Sequence, residues 1–583
     1  MVAKSASMEN MFKKRMVWAT VLLFVCFALI ILRLVFLQVV QGADYRAQAD
    51  GQRTTVHKLI PARGEITVND KFSGQPYAVA TSIQKFLVYA VPEEIVDPET
   101  AKKLAAILGI NEADIAAKFE DKTKKYVPIK RQLTDSEKQQ IEALKLPGIA
   151  FDSETYRYYP EGQFLSQLLG FVGYNKDDER AGIYGLEQAF EEELAGIPGT
   201  LAQEKDVSGA WIFGSRRDQT PAVNGDDLML TIDKTVQFKA EAILKSAVED
   251  NQADSGSVIV MDPKTGAITA MASYPSFNPN EYSKVEDPSV YINMNTMGSY
   301  EPGSIFKAIT MAAAVNEGKV NSNTTYNDTG EVKVDEYTIK NSDNKAHGIQ
   351  TMSQVLEESL NTGVIFAKDK IGNKKFADYL KKFGFGKKTG VEVAEAKGDL
   401  ENLNGNILVN YDTASFGQGI NVTPIQMVQA YSALANGGKM VKPYLVQSRV
   451  RPNGQTFDTR PDVIGEVIRP ETASEVSAML VNVVEKGHGK RAGVPGYYIA
   501  GKTGTAQVAR KDGRGYEANN NIGSFIGYAP VENPRFIILV RINHPRTVSF
   551  AESTAAPAFG KLAQFLLTYY DIPPTRMDQL TKK

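Results

Sequence analysis

The sequence predicts an α/β protein in three parts: a single membrane-spanning helix, a mixed α+β pedestal, and an α/β sandwich that fills the rest of the chain. Three observations predict it. One uncharged apolar run lies near the N-terminus, and no later segment approaches it in length. Residues 41–220 alternate short strand-like and helix-like stretches. From Leu228 onward, strand-like runs gather at both ends of a long helical middle, the pattern of one sheet covered by helices.

The apolar run comes first. MVWATVLLFVCFALIIL (16–32) carries no charge, Arg33 interrupts it, and LVFLQVV continues to Val40. As a helix, 16–40 would reach roughly 37 Å, enough for the hydrocarbon core. Arg33 lies near one end, where it can snorkel to the headgroups. The run is too long for a signal peptide, so an uncleaved anchor is expected. Lys4, Lys13, Lys14 and Arg15 precede it against a single Glu9. The positive-inside rule therefore places residues 1–15 in the cytoplasm and everything after Val40 outside. Cys26, the only cysteine, falls inside the span and reads as a small apolar residue.

The pedestal, 41–220, follows. KFLVYAV (85–91) reads as a strand and AKKLAAILGI (101–110) as a helix, with no catalytic constellation among them. The stretch 208–227 reads as a linker. The third part is expected over 228–575. TVQFKAEAILKSAVED (235–250) is an amphipathic helix, and SVIVMDPKTGAITAMASYP two strands joined by a turn at 263–266. The runs 497–510, 522–530 and 535–544 are strand-like, and 554–570 closes the domain as a helix.

Composition narrows the function. The chain has 583 residues, which suggests roughly three to five compact units. With 66 Lys+Arg against 68 Asp+Glu the formal net charge is -2, which excludes bulk electrostatic binding to nucleic acid. One cysteine and four histidines, His57, His347, His488 and His544, form neither a CxxC pair nor metal-ligand spacing, and HExxH is absent. No metal or other cofactor is expected, nor a Ser-His-Asp hydrolase.

The remaining candidates are serines and lysines. In YEPGSIFKAITMAAAVNEG, the apolar run 305–315 reads as a buried helix that stops at Gly318. Ser304 opens it, where free N–H groups and the helix dipole can stabilise an oxyanion. Lys307, three residues on, shares a face with Ser304. A buried lysine can lose its proton and serve as base to a serine nucleophile. The same SxxK spacing at Ser82–Lys85 and Ser342–Lys345 lies in a strand-like run and a polar loop, so both read as chance. ESLNTG places Ser359 and Asn361 in a short polar turn between helix-like stretches. SxN spacing also occurs at Ser276 and Ser342, and a capped helix–helix turn would explain the segment equally. KTG occurs at Lys264, Lys388 and Lys502, but only Lys502 extends an apolar strand, YYIAGKTGTAQV. Such an edge can offer Lys502, Thr503 and Thr505 to a carboxylate and a backbone N–H to an oxyanion.

In order, Ser304/Lys307, Ser359/Asn361 and Lys502–Gly504 reproduce an SxxK, SxN, KTG set. The chain thereby resembles the penicillin-binding protein and serine β-lactamase superfamily. EPGSIFK, SLNTG, SFGQGINVTPIQMVQAYSALANGG, AGKTGTAQ and GSFIGYAPVENPRF resemble the transpeptidase domain of a class B penicillin-binding protein, over roughly 228–570. IPARGEI (60–66) and GIYGLEQAFEEELAGIPGT (182–200) resemble that family's pedestal, or dimerisation-like, domain more loosely. VNDKFSG stands where the family has DRNG.

The resemblance implies an antiparallel sheet sandwiched by helices and a serine D,D-transpeptidase. Ser304 would attack the D-Ala-D-Ala carbonyl of a peptidoglycan stem peptide with Lys307 as base. Ser359 would relay the proton to the leaving group, and Asn361 would hold the substrate amide and Lys307. Lys502, Thr503 and Thr505 would hold the terminal carboxylate, with Gly504 in the same binding strand. The N–H groups of Ser304 and Thr505 would form the oxyanion hole. β-Lactams would acylate Ser304. Implied partners are a polytopic membrane glycosyltransferase and other division or elongation proteins.

The motif spacing and compact length look more like the septal, division-specific type than the elongation type. A hydrolytic β-lactamase, a carboxypeptidase and an inactive scaffold are the competing readings. Against the first, LENLN (400–404) has Leu400 where a deacylating glutamate would stand, with Glu401 one position off. No glycosyltransferase motifs precede Leu228, which argues against a bifunctional synthase.

Overall fold

The computed structural model of the protein describes residues 2–45, 54–177, 179–204, 218–510, 515–548 and 550–576. They fall into two compact units, 1–61 with 196–223 and 62–195 with 224–583. Within the expected linker, 208–217 lie outside the described residues, while Asp218–Thr220 forms a strand and Val223 bridges Ile197.

In the first unit, the helix Val2–Val35 runs on into π-helical turns at Phe36–Val40. Its Asn10–Val40 stretch is long and apolar enough to cross a membrane, and none of its most apolar window is buried by protein. The unit also holds a three-stranded antiparallel sheet, with Gly199–Glu204 between Thr54–Leu59 and Asp218–Thr220.

The second unit begins with the sheet expected of the pedestal. Tyr77–Ala90 pairs with both Val127–Leu133 and Ile149–Tyr158. Thr100–Leu108 and Asp135–Leu144 supply Leu104, Leu108 and Ile141 to a small core with Val88 and Ile129. The same sheet continues through Ile66–Asn69, which pairs in parallel with Asp227–Asp233. The pedestal strands and the first strand of the expected catalytic region are therefore one hydrogen-bonded layer. Behind this join, fully buried Glu187 accepts from Arg63 Nε at 2.7 Å, Arg157 Nε at 2.6 Å and Tyr159 OH at 3.2 Å. Two guanidiniums hold that carboxylate below the usual range against the opposing effect of burial.

The rest is a sandwich. Its five-stranded antiparallel sheet runs in the order Ile268–Tyr274, Ser255–Met261, Phe536–Asn543, Tyr516–Ala529, Ala500–Ala509. Alternate residues face opposite layers. Val258, Val260, Ile538 and Val540 meet the helices Lys234–Asp250 and Ala555–Tyr569. Ile259, Met261, Ile537 and Leu539 join the core of Lys307–Asn316, Pro424–Ala435 and Pro470–Glu485. A sheet covered on both faces needs apolar residues at every position, hence the unbroken FIILV of 536–540. Ala500–Ala509 is the edge strand, and its outer rim faces the segment that carries Ser304.

Candidate active site

Ser304 does not sit in the first turn of the α-helix, as its sequence suggests. It lies in a 3₁₀ turn, Gly303–Phe306, that precedes the helix Lys307–Asn316. In a 3₁₀ turn side chains three residues apart eclipse, which puts Lys307, the residue that closes the turn, on the same side as Ser304. Gly303 has φ +58° and its N–H donates to Gly417 O at 3.0 Å. A side chain there would be strained and would press on Thr505 O at 3.2 Å. The helix ends, as expected, where Gly318 takes φ +63°.

Ser359 occupies the turn between Met352–Glu357 and Asn361–Ile371, with a left-handed φ of +57°. This conformation is costly for a non-glycine residue, and here it turns the carbonyl toward Lys307. Lys307 Nζ donates to Ser359 O at 2.5 Å and to Ser359 Oγ at 3.3 Å. From the edge strand, Lys502 Nζ donates to the same Ser359 Oγ at 3.0 Å, and to Thr503 O and Oγ1 at 3.3 and 3.4 Å. The structure thus brings Lys307, Ser359, Lys502 and Thr503 together around one hydroxyl.

Both lysines are 0% exposed, and among the described residues neither pairs with a carboxylate. Burial, and then the neighbouring Lys502 charge, hold Lys307 well below its ordinary value. Burial brings Lys502 down to about 7. Two ammoniums sharing one buried hydroxyl cannot both stay charged cheaply. Burial and the Lys502 charge both lower Lys307, whereas burial alone lowers Lys502.

Gly504 packs directly against the serine turn. A Cβ there would lie 2.9 Å from Pro302 O and 3.0 Å from Ile305 Cγ2. Thr505 Oγ1 accepts from Ala551 N at 3.2 Å. Asn361 departs from expectation. Its Nδ2 donates to Lys340 O at 2.8 Å, and among the described residues no hydrogen bond joins it to Lys307. The left-handed Ser359 backbone supplies the carbonyl that holds Lys307 instead. The other SxxK and KTG copies sit elsewhere: Ser82–Lys85 in the strand Tyr77–Ala90, Ser342–Lys345 in a turn, Lys264 in a hairpin turn and Lys388 exposed in a loop.

Sequence reasoning misses Glu301. Three residues before Ser304, it accepts from Gly419 N at 3.0 Å and Tyr516 OH at 3.1 Å. Burial pushes its carboxyl up. Only its place inside EPGSIFK, within an otherwise apolar approach to the helix, could have signalled it.

Residues 256–564 match the model of the penicillin binding protein transpeptidase domain, and 58–230 that of the penicillin-binding protein dimerisation domain. The chain belongs to the class B penicillin-binding proteins. It is 35% identical to Stage V sporulation protein D of Bacillus subtilis over 98% of this chain and 88% of that one. Its identity to peptidoglycan D,D-transpeptidase FtsI of Escherichia coli is 31%, over 93% of this chain and 89% of that one. The crystal structure of penicillin binding protein 2X from Streptococcus thermophilus superposes with a TM-score of 0.74 at 26% identity, covering 91% of this chain and 82% of the other. This penicillin-binding protein therefore has the family's mixed α/β transpeptidase fold, with one apolar N-terminal helix that fits a single-pass anchor.

Proposed function

We propose that this protein is a peptidoglycan D,D-transpeptidase that cross-links stem peptides through an acyl-enzyme on Ser304. The convergence of Lys307 and Lys502 on Ser359 Oγ, beside the serine turn and the edge strand, carries the reading. Neutral Lys307 has two N–H bonds, directed at Ser359 O and Oγ, and one lone pair. That lone pair takes the proton of Ser304 Oγ as the oxygen attacks the penultimate D-Ala carbonyl. The N–H groups of Ser304 and Thr505 receive the oxyanion. Ser359 Oγ accepts from both lysines, so its lone pairs are engaged and its own proton is directed into the cleft. That proton passes to the leaving D-Ala amine, and Lys307 replaces it through the 3.3 Å contact. Charged Lys502, with Thr503 and Thr505, holds the terminal carboxylate. An amine of a neighbouring strand then attacks the ester and frees Ser304. β-Lactams, which present a strained amide beside a carboxylate, acylate the same oxygen.

The test is cross-link formation by the full chain on nascent peptidoglycan strands. Dimeric products that vanish with penicillin or with Ser304→Ala support the reading. Release of D-Ala without dimers would make the protein a carboxypeptidase.

We take residues 1–15 as a cytoplasmic tail, 16–40 as the anchor, 41–220 as the pedestal and 228–575 as the catalytic domain, with the catalytic domain outside the membrane. Lys13, Lys14 and Arg15 before the span support this orientation. The anchor and pedestal dock a polytopic glycosyltransferase, since a tether raises the local concentration of nascent strands only when its geometry permits. Replacing 16–40 with an unrelated span, and separately deleting the pedestal core, should each weaken co-purification with the polymerase and its stimulation. Full retention by both variants would leave the pedestal a spacer.

Septal synthesis is the cellular role that the motif spacing favours, and a tagged chain should gather at the septum. A sporulation role is the second reading, favoured by the 35% identity to Stage V sporulation protein D. Expression confined to sporulating cells would select it.

A further inference from the structure

The helix Asn361–Ile371 starts without a cap of its own, for Leu360 at its N-cap offers no side-chain hydrogen bond. Its first N–H groups are orphan donors. They are satisfied by a residue twenty positions earlier: Asn341 Oδ1 accepts from Asn361 N at 3.0 Å and from Thr362 N at 3.3 Å. Asn341 is 2% exposed, and its Nδ2 donates to Asp328 Oδ2 at 2.9 Å and to Lys345 O at 3.2 Å.

Asp328 is equally buried and has no cationic partner among the described residues. Its charge is met by neutral donors alone. Oδ1 accepts from Thr362 Oγ1 at 2.7 Å and Gly330 N at 3.0 Å, and Oδ2 from His347 N at 3.0 Å as well as from Asn341. These bonds hold the carboxyl below the usual range although burial acts the other way. The carboxylate also fixes which way Asn341 points. A flipped amide would set NH₂ against two N–H donors and oxygen against a carboxylate.

We infer that Asp328, acting through Asn341, is a positioning residue for the reaction: it locks the start of the Asn361 helix and so holds Ser359 in the left-handed turn that presents its carbonyl and hydroxyl to Lys307. This rests on the roles given above to Lys307 and Ser359. The chain is clamped on one side of Ser359 by the helix Met352–Glu357, whose Thr351–Gln354 capping box fixes its start. On the other side the clamp is Asn341. Loss of the second clamp lets Ser359 relax toward an ordinary backbone conformation and withdraw its oxygens from Lys307.

The experiment measures acylation of the detergent-solubilised full chain by a fluorescent penicillin, over a range of concentration and pH, beside thermal unfolding. Asp328→Asn should lower the maximal acylation rate about 10²-fold, the cost of a misplacement near 1 Å, and leave the half-saturating concentration near the parent's. Asn341→Asp should behave unusually. While protonated, the introduced carboxyl still donates to Asp328 and accepts from Asn361; once ionised, it repels the Asp328 carboxylate. The maximal rate of this variant should therefore fall as pH rises, through a limb the parent lacks, while the chain stays folded at both ends of the range. A parent-like maximal rate in Asp328→Asn, or an Asn341→Asp profile parallel to the parent's, overturns the inference. Should Asp328→Asn fail to fold, the Asn341→Asp profile decides alone. Lys307→Arg, run alongside, separates the two levels: normal acylation there would sink the assignment of the base, whatever Asp328 does.

Discussion

Lys307 and Lys502 meet at one oxygen: their Nζ atoms lie 3.3 and 3.0 Å from Ser359 Oγ. One comes from the helix that follows the Ser304 turn and the other from the edge strand. With both fully buried, each sets the charge the other can carry.

This coupling predicts the pH dependence of acylation by β-lactams. Lys307 must be neutral to act, so the rate rises with pH through its depressed value. Lys502 must be charged to hold a carboxylate, so the rate falls as pH climbs through about 7. The profile of the second-order rate constant is therefore a bell. Lys502→Arg should move its alkaline limb upward, because a guanidinium does not deprotonate in this range. An unmoved limb would assign it to another group.

Lys307→Arg should fold and still lose 10²–10⁴-fold in acylation, the usual contribution of a general base. The change keeps N–H donors and approximate length but fixes a permanent charge where the lysine must give up its proton. Near-normal labelling by a fluorescent penicillin would take Lys307 out of the mechanism.

Gly504→Ala tests the seam between the edge strand and the serine turn. The added methyl would lie 2.8 Å from Ser524 Oγ, 2.9 Å from Pro302 O and 3.0 Å from Ile305 Cγ2. The backbone oxygen cannot rotate away, so the strand must shift from Ser304. Acylation should fall about 10²-fold while thermal unfolding shows a folded chain. An unchanged rate would mean the seam tolerates widening.

Much of this is legible in the sequence, for physical reasons. The strands at 255–261 and 536–543 are covered on both faces, and their segments 258–261 and 536–540 read as continuous apolar runs. Lys502 stands out among three KTG copies because only it interrupts such a strand. Other features leave no local trace. Ile66–Asn69 pairs with a strand some 160 residues later, beyond the reach of any periodicity. The 3₁₀ turn at Ser304 shares its apolar composition with the helix it precedes, so the two read as one element. Ser359 looks like any polar turn residue, and its left-handed backbone follows from clamps on either side. Asn341, next to the SDNK stretch, acts on Asn361 through tertiary contact alone.

The most direct test of the account is the site of acylation. The full chain is incubated with a fluorescent penicillin, digested, and the adduct mapped by mass spectrometry. The account predicts a single adduct on the peptide carrying Ser304 and none in Ser304→Ala. An adduct on Ser82 or Ser342, or undiminished labelling of Ser304→Ala, would contradict it.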